Sequence, residues 1–447
     1  MPMILILVLF LCILFIIFSS ARLRLHPFLA LLFSALGFGL LTGMPLSVLV
    51  QSINEGFGGT IGYIGIVIVC GTIIGTFLEY SGGAYALADR ILKRIGEKRV
   101  PLAMSLIGYF VSISVFADSG FVILSPLNKA LSKRAKISLA GSAIALSLGL
   151  VSTHCLVPPT PGPIAAAGIL GADLGRVILI GIPVSLLALI AGWLFSVHVA
   201  AKIQIDPIPD VPEKQIRAQM KEAPSAARAL LPILVPILLI VLRSVSEFPT
   251  RPLGEGSVKA LIVFIGEPVV ALLAGVLLAF ALPRKFKKDM LSDSGWVGTG
   301  LRNAAIIILI TGAGGAFGKV LQNSALASTI GNALADASLG LWLPFLIAAT
   351  IKTAQGSSTV AIITAASILS PLLPSLGFDS EFAKTLIVLS IGAGAMVTSH
   401  ANDSFFWVVT QMSGMDVRTG YKLQSLGTGV LGVSAGLVIW VIGLIFI

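Results

Sequence analysis

Charged residues are scarce in this chain. Asp, Glu, Lys and Arg make up 11% of its 447 residues, against about a quarter in a typical soluble domain, while 56% are apolar. Stretches such as 1–21, 56–78 and 137–172 hold none of the four, and about 20 apolar residues suffice to cross a bilayer as a helix. Such hydrophobicity excludes a disordered chain, and the absence of alternating segments of about ten residues argues against a β-barrel. The sequence therefore predicts an all-α polytopic membrane protein.

Cysteine is also scarce, and catalytic motifs are missing. Cys12, Cys70 and Cys155 lie in apolar surroundings without CxxC or metal-ligand spacing, which predicts small buried side chains and neither disulfides nor a metal site. No HExxH motif and no nucleophile–base pair appears, so we expect no enzyme and no cofactor. The first apolar run, 3–20, lacks a basic segment and a cleavage motif, and we expect a retained span there.

The net charge is +10, but the basic residues are spread over short loops. That distribution indicates orientation in a membrane and does not indicate a nucleic-acid partner. Basic loops at 22–26 and 80–99 are predicted to be cytoplasmic. Residues 51–60, which hold only Glu55, are predicted to form an outside loop, and the N-terminus is then outside too.

Two consecutive basic loops, 80–99 and 129–136, flank the apolar stretch 100–128. Both follow the positive-inside rule only if this stretch enters and leaves the membrane on one side, as a re-entrant hairpin. Non-helical backbone at that depth must be buried in protein or face water. The hairpin tip is therefore a candidate site, formed by Asp118, Ser119 and Gly120.

Four short patterns recur in the same order at an offset of 241 to 246 residues. They are Gly75-x-x-Leu78 with Gly318-x-x-Leu321, His26-Pro27 with Glu267-Pro268, Val151-Ser152-Thr153-His154 with Val397-Thr398-Ser399-His400, and Gly171-x-Asp173 with Gly414-x-Asp416. The loop charges give the two copies opposite orientations, which requires an odd number of crossings in each. Inverted repeats with a substrate site at their interface are typical of secondary transporters.

We therefore divide the chain into a first repeat at 1–200, a cytoplasmic linker at 201–228 and a second repeat at 229–447. Each repeat is predicted to have five spans and one re-entrant hairpin, the second hairpin lying at about 340–373. Both chain termini are then predicted to lie outside. The Gly-rich run 312–315 follows no strand and precedes no Gly-Lys-Ser/Thr, so it predicts close helix packing and not a phosphate loop.

Each repeat also has a long apolar segment with an interruption, at 153–163 and at 398–404. Proline breaks a helix, and the N-termini of the resulting half-helices at the midplane attract anions. Two hairpin tips and two broken helices together predict a site for a small polyhydroxylated anion. Its candidate residues are Asp118, Ser119, Gly120, Thr153, His154, Thr160, Gln355, Gly356, Ser357, Ser358, Thr359, Ser399, His400, Asn402 and Asp403.

Four of these candidates are ionisable, and an ionisable group within a membrane is costly and points to function. Asp118, His154, His400 and Asp403 are the candidates for proton coupling. Plainer roles stay open. Either histidine could be a structural hydrogen-bonding group, and either aspartate could cap the half-helix that follows it.

The stretches 116–121, 152–163 and 399–404 resemble the gluconate permease family of proton symporters, and the resemblance extends over nearly the whole chain. It implies uptake of gluconate or a related sugar acid with protons across a bacterial inner membrane. It also implies paired re-entrant hairpins, a homodimeric scaffold and an elevator-type moving domain.

The physics of anion uptake fits proton symport. A monovalent anion entering against an inside-negative potential loses about 2.3 kcal/mol per 100 mV, and one accompanying proton cancels that charge. We therefore expect a small anionic substrate, protons and the lipid bilayer as partners. Two alternatives stay open: a proton-coupled carrier of D-serine or another small hydroxy acid, which the family also includes, and a sodium-coupled carboxylate carrier.

Overall fold

The structure is a computed structural model that describes residues 2–96, 99–209, 222–247, 255–324 and 339–446. These ranges contain helices and no strand, which confirms the all-α prediction. A π-helical turn at Tyr421–Ser425 joins the last two helices. The α-helices are α1 (Pro2–Ala21), α2 (Pro27–Leu41), α3 (Leu46–Tyr80), α4 (Gly83–Ile95), α5 (Val100–Val111), α6 (Ala117–Ala135), α7 (Leu139–Leu156), α8 (Pro161–Leu170), α9 (Leu174–His198), α10 (Ala226–Ser246), α11 (Ser257–Ile265), α12 (Pro268–Ala279), α13 (Trp296–Gln322), α14 (Trp342–Gln355), α15 (Ser358–Leu369), α16 (Glu381–Gly394), α17 (Ser404–Met412), α18 (Val417–Gly420) and α19 (Leu426–Phe446).

Six helical stretches in the described ranges are long and apolar enough to cross a membrane. A seventh candidate is the pair α11 and α12, which is bent by 63° where Pro268 starts a new helix. The chain is therefore a multi-pass membrane protein, and five crossings in each repeat stay a prediction. The six stretches are Leu46–Tyr80, Leu139–Leu170, Leu174–Lys202, Ala226–Ser246, Lys288–Gln322 and Val417–Phe446.

The prediction of an outside loop at 51–60 is wrong. Helix α3 passes through these residues without a break, and the chain turns earlier, at 42–45. Glu55 stays on the helix surface, where it accepts a hydrogen bond from Gln51 Nε2 one turn earlier (2.7 Å). A single carboxylate in an apolar stretch is thus accommodated by a local side-chain pair and does not end the helix.

Helices α3 and α13 cross at close range through glycines. A Cβ atom on Gly56 would collide with the carbonyl oxygen of Gly315, and a Cβ atom on Gly315 would lie 2.5 Å from the carbonyl oxygen of Gly56. Gly312 packs in the same way against the ring of Phe57, where a Cβ atom would lie 2.8 Å from ring carbons. The close helix packing predicted for 312–315 is confirmed.

Four helix pairs are separated by short interruptions. These lie at 112–116, 157–160, 356–357 and 395–403, between α5 and α6, α7 and α8, α14 and α15, and α16 and α17. The order of helices recurs along the chain. Helices α5 to α9 begin at residues 100, 117, 139, 161 and 174, and helices α14 to α18 begin at 342, 358, 381, 404 and 417. Two successive stretches of the chain therefore have the same helix order at nearly the same spacing.

Part of the segment predicted as a linker, 201–228, is attached to the helices. Ser138, which caps α7, donates a hydrogen bond to the Ile203 carbonyl (2.6 Å) and accepts one from the Ile205 amide (3.0 Å). Residues 210–221 lie outside the described residues. The role of the segment as a boundary between two repeats stays a prediction.

Candidate functional site

A polar cavity of about 280 Å³ lies where three of the four interruptions meet. Its volume is near the lower end of the range for small-molecule sites, roughly 300–1,000 Å³. The wall combines hydroxyl, amide and ionisable side chains with a few apolar ones. It is lined by Phe116, Ala117, Asp118, Val151, His154, Lys352, Gln355, Gly356, Ser357, Ser358, Thr359, Met396, Ser399, Asn402, Asp403, Ser404, Phe405 and Thr428.

Three helices, α6, α15 and α17, begin at the cavity wall. Ser357 caps α15 by accepting a hydrogen bond from the Val360 amide (3.3 Å), and Asp403 caps α17 by accepting one from the Phe405 amide (3.0 Å). Helix α6 has no side-chain cap, and its N-cap residue is Phe116. Because a helix N-terminus presents free N–H groups and partial positive charge, this wall favours an anionic group.

A buried ion pair, which the sequence analysis did not include, forms part of the wall. Lys352, near the end of α14, donates from Nζ to Asp403 Oδ2 (2.6 Å) and to the carbonyl of Gly356. The two charged side chains are only 2% and 8% exposed. Ser399 Oγ donates to the same carboxylate oxygen (2.6 Å). The available signal in the sequence was a lysine inside a predicted membrane hairpin, where a charge needs a partner.

Gly356 allows two interruptions to touch. Its φ is +91°, and a Cβ atom there would collide with the carbonyl oxygen of Asn402. Asn402 Nδ2 donates to the Thr353 carbonyl (2.9 Å), and Gln355 Nε2 donates to the Ser357 carbonyl (2.8 Å). The turn between α14 and α15 and the segment between α16 and α17 thus form one continuous wall, which requires a glycine at this position.

Asp118 and His154 line the cavity with polar atoms that lack partners. Asp118 is in the first turn of α6, and its carboxyl hydrogen-bonds with the Ser404 hydroxyl. Its Oδ1 atom and His154 Nδ1 are buried without a hydrogen-bond partner among the described residues. Buried polar atoms nearly always have a partner. These two atoms are therefore available to a substrate, a proton or water.

Ten of the fifteen predicted site residues line this cavity, and five do not. Two of the five belong to helix packing: Gly120 packs against the side chain of Leu150, and Thr153 is fully buried with its hydroxyl donating to the Tyr109 carbonyl (2.9 Å). The ten residues are Asp118, His154, Gln355, Gly356, Ser357, Ser358, Thr359, Ser399, Asn402 and Asp403.

Ser119, Thr160 and His400 are the other three predicted residues outside the cavity wall. Thr160 donates to the Val157 carbonyl (2.6 Å) and lines a separate recess of about 10 Å³, which has room for about one water molecule. His400 Nε2 lies 2.7 Å from the Thr353 carbonyl. That bond favours the structural alternative for His400, since it holds the end of α14.

The alternative role of capping the following helix applies to Asp403 but not to Asp118. Asp403 is the N-cap residue of α17 and also the partner of Lys352, so it has both roles. Asp118 lies in the first turn of α6, two residues after the N-cap residue Phe116, and is not itself a cap. In the part of the chain that the structure describes, no group of three His, Cys, Asp or Glu side chains is placed to hold a metal ion.

Comparison with known proteins gives concordant results. The family model for GntP family permeases matches residues 2–445. The gluconate permease of Pseudomonas aeruginosa is 35% identical, with 95% of this chain and 93% of the relative covered. The D-serine transporter DsdX of Escherichia coli strain K12 is 34% identical, with 94% of each chain covered. The crystal structure of the Alcanivorax borkumensis YdaH transporter has a similar fold, with a TM-score of 0.66 at 14% identity, and covers 94% of this chain and 99% of that one. This chain therefore belongs to the GntP permease family and is a membrane transport protein, not an enzyme.

Proposed function

We propose that this protein imports gluconate or a related sugar acid together with protons across a bacterial inner membrane. The observation that carries the proposal is the polar cavity at which α6, α15 and α17 begin. Helix N-termini favour the carboxylate of such a substrate. The hydroxyl and amide groups of Ser357, Thr359 and Asn402 suit its several hydroxyl groups. The gluconate permease among the relatives supports the same substrate class.

The charges of the cavity support coupling to protons. Lys352 pairs with Asp403 in the buried ion pair, so the Asp118 carboxyl is the acid in the wall that no cation among the described residues pairs directly. An ionised Asp118 repels an incoming carboxylate. A protonated Asp118 removes that repulsion and adds a hydroxyl donor. The proton then travels with the substrate and cancels its charge against the membrane potential.

His154 is the second group in the proposed proton path. Its ring lies 6.2 Å from that of Phe116, at the start of the helix that carries Asp118. Its Nδ1 atom has no partner among the described residues, so it is free to exchange a proton or to orient the anion. His400 and Asp403, both engaged in fixed hydrogen bonds, hold the wall in place instead.

The architecture in the membrane belongs to the same proposal. We propose two inverted repeats, each with five spans and one re-entrant hairpin, formed by α5 and α6 and by α14 and α15. The recurrent helix order supports the duplication, and the loop charges support the inversion and the outside position of both termini. The homodimer and the elevator-type movement are what the family resemblance implies.

A second candidate function is proton-coupled uptake of D-serine. One relative is the D-serine transporter DsdX, and the unpaired Oδ1 atom of Asp118 is also placed to accept a hydrogen bond from an ammonium group. The two candidates require opposite states of this residue. A sugar acid needs a protonated Asp118, whereas an amino acid needs an ionised one. In the second case the coupled proton would have to be carried by another group, and His154 is the candidate.

The test is uptake of labelled gluconate into proteoliposomes under an inward proton gradient, with D-serine, glycerate and citrate as competitors. Accumulation that collapses with a protonophore and is blocked by sugar acids alone supports the proposal. Accumulation of D-serine without gluconate uptake moves the substrate to the second candidate. Uptake that requires sodium, shown by its loss when choline replaces sodium, overturns proton coupling.

A further inference from the structure

We propose that Lys352 selects the substrate for its negative charge, by donating an N–H group to the substrate carboxylate in the cavity. The inference rests on the proposed function, since it names the group that recognises the carboxylate at the same site. It goes beyond an anion preference of the helix N-termini, because it assigns that preference to one side chain.

The first support is the number of donors on the ammonium group. A lysine ammonium has three N–H donors. Two are used, one by Asp403 Oδ2 and one by the Gly356 carbonyl. The third has no partner among the described residues, and Lys352 lines the cavity. A carboxylate in the cavity would complete its coordination.

The second support is that Asp403 has hydrogen-bond donors other than Lys352. Asp403 Oδ2 accepts from both Lys352 and Ser399, and its Oδ1 atom accepts from the Phe405 amide. Lys352 is therefore one of three groups that stabilise this carboxylate. The ammonium retains attraction for a second anion, and no other Lys or Arg side chain lines the cavity among the described residues.

The third support is that the ammonium is already fixed in position. The side chain is 2% exposed and is held by bonds to Gly356 and Asp403. A lysine normally loses side-chain freedom when it binds a ligand, and this loss weakens the binding. Because the structure has already ordered Lys352, the gain from a charge-assisted hydrogen bond is not reduced by this loss.

The test removes both charges of the pair together, in the double variant Lys352→Met/Asp403→Asn. Removing one partner alone leaves a buried unpaired charge, whereas removing both does not. Asparagine still caps α17. In proteoliposomes we expect the half-saturation concentration for gluconate to rise about 10- to 100-fold, the range for a hydrogen bond to a charged group. Inhibition by gluconamide, the uncharged amide, should change little. An unchanged half-saturation concentration for gluconate would overturn the proposal.

Two further variants separate charge recognition from a structural role. Asp403→Asn alone keeps the lysine but leaves its ammonium without the aspartate charge. A substrate carboxylate would then supply the missing negative charge, so the preference for gluconate over gluconamide should be kept. Loss of that preference in this variant would assign it to the aspartate and contradict the proposal. Lys352→Gln/Asp403→Asn, in which glutamine still donates to the Gly356 carbonyl, serves if the methionine variant does not insert, and the same rise is expected.

The matched control is Arg243→Met/Glu267→Gln. It removes another ion pair, with Arg243 Nη2 3.1 Å from Glu267 Oε2, and neither residue lines the cavity. Arg243 also pairs with Glu247 (3.5 Å), whose exposed carboxylate stays hydrated in the variant. This control should leave the preference for gluconate unchanged. Failure of the proposed function is distinguishable from failure of this inference. In the first case the unaltered protein takes up no gluconate, and in the second it does but the double variant binds gluconate equally well.

Discussion

At the scale of single residues, the described part of the cavity wall combines a buried ion pair with a carboxyl group that no described cation pairs directly. Lys352 and Asp403 form an ion pair that ties α14 to α17. Asp118 has a free carboxyl oxygen at the start of α6. The pair orders the wall and, in our proposal, its lysine binds the substrate carboxylate. The separate acid is the group that we propose takes up and releases a proton.

Replacement of Asp118 by asparagine should therefore uncouple protons from uptake. Asparagine imitates the neutral acid at every pH. We expect that the parent protein loses gluconate uptake as the external pH rises, and that Asp118→Asn does not. Gluconate accumulation under an imposed pH gradient should fall at least tenfold in the variant, while exchange of internal for external gluconate continues. The measurement is radiolabelled uptake and exchange at several pH values.

The control for that experiment is Asp89→Asn, which removes an exposed carboxylate that is paired with Lys93 on the same helix. It should behave as the parent protein does. Accumulation in Asp118→Asn that keeps the pH dependence of the parent would move the coupled proton to another group, with His154 the next to be replaced.

Thr153 gives a test of the boundary of the site. Its buried hydroxyl bonds the Tyr109 carbonyl and does not reach the cavity. Thr153→Val should destabilise the protein by about 1 kcal/mol, the usual effect of one lost hydrogen bond, and should leave the half-saturation concentration for gluconate unchanged. Thermal unfolding in detergent and uptake kinetics measure the two effects. A change in half-saturation without loss of stability would return Thr153 to the binding site.

At the scale of elements, the contact between two helix interruptions depends on one glycine. Gly356 has a positive φ, and a Cβ atom there would strike the Asn402 carbonyl. Gly356→Ala should thus separate the α14–α15 turn from the segment before α17 and abolish uptake. Gly377→Ala is the matched control, since Gly377 also has a positive φ of +75° but has nothing within 4 Å of a Cβ atom.

The control should lose only about 1 kcal/mol of stability through backbone strain and should keep its uptake. Uptake assays and unfolding midpoints compare the two variants directly. Equal effects of both substitutions would mean that strain alone matters and that the contact with Asn402 does not.

Helix interruptions were predictable where residue type alone dictates them. The prolines at 158–163 prevent a continuous helix, and α7 ends and α8 begins around them. The loop at 51–60 was wrongly predicted because a single carboxylate in an apolar stretch was interpreted as a loop residue. The hydrogen bond that Glu55 accepts from Gln51 allows it to stay on a helix. Local patterns therefore locate the breaks that proline causes, but they do not reveal a charge that a neighbouring side chain accommodates.

The sequence predicts the types of side chain that line the cavity better than it predicts which individual residues do. Hydroxyl and amide groups near helix starts line the cavity as expected. Thr153 and His400 do not line the cavity, because sequence spacing does not show which way a helical side chain points or which carbonyl group is close to it. Lys352 was missed because its partner, Asp403, is 51 residues away in sequence.

At the scale of the whole molecule, the proposed inversion of the two repeats predicts that corresponding residues lie on opposite sides of the membrane. His26 and Glu267 occupy corresponding positions in the two proposed repeats and are exposed or partly exposed. In a background with the three native cysteines replaced by alanine, His26→Cys should react with a membrane-impermeant maleimide only from the cytoplasmic side. Glu267→Cys should react only from the outside. Labelling of intact cells and of inverted vesicles makes the comparison, and reaction of both from the same side would contradict inversion.

The most direct test of proton-coupled sugar-acid import is gluconate accumulation by the purified protein in proteoliposomes, driven only by an inward proton gradient. We expect proton-driven import, in which internal gluconate exceeds external gluconate while the gradient lasts and a protonophore abolishes the excess. Gluconate that equilibrates without accumulating, or that is not taken up at all, would contradict it.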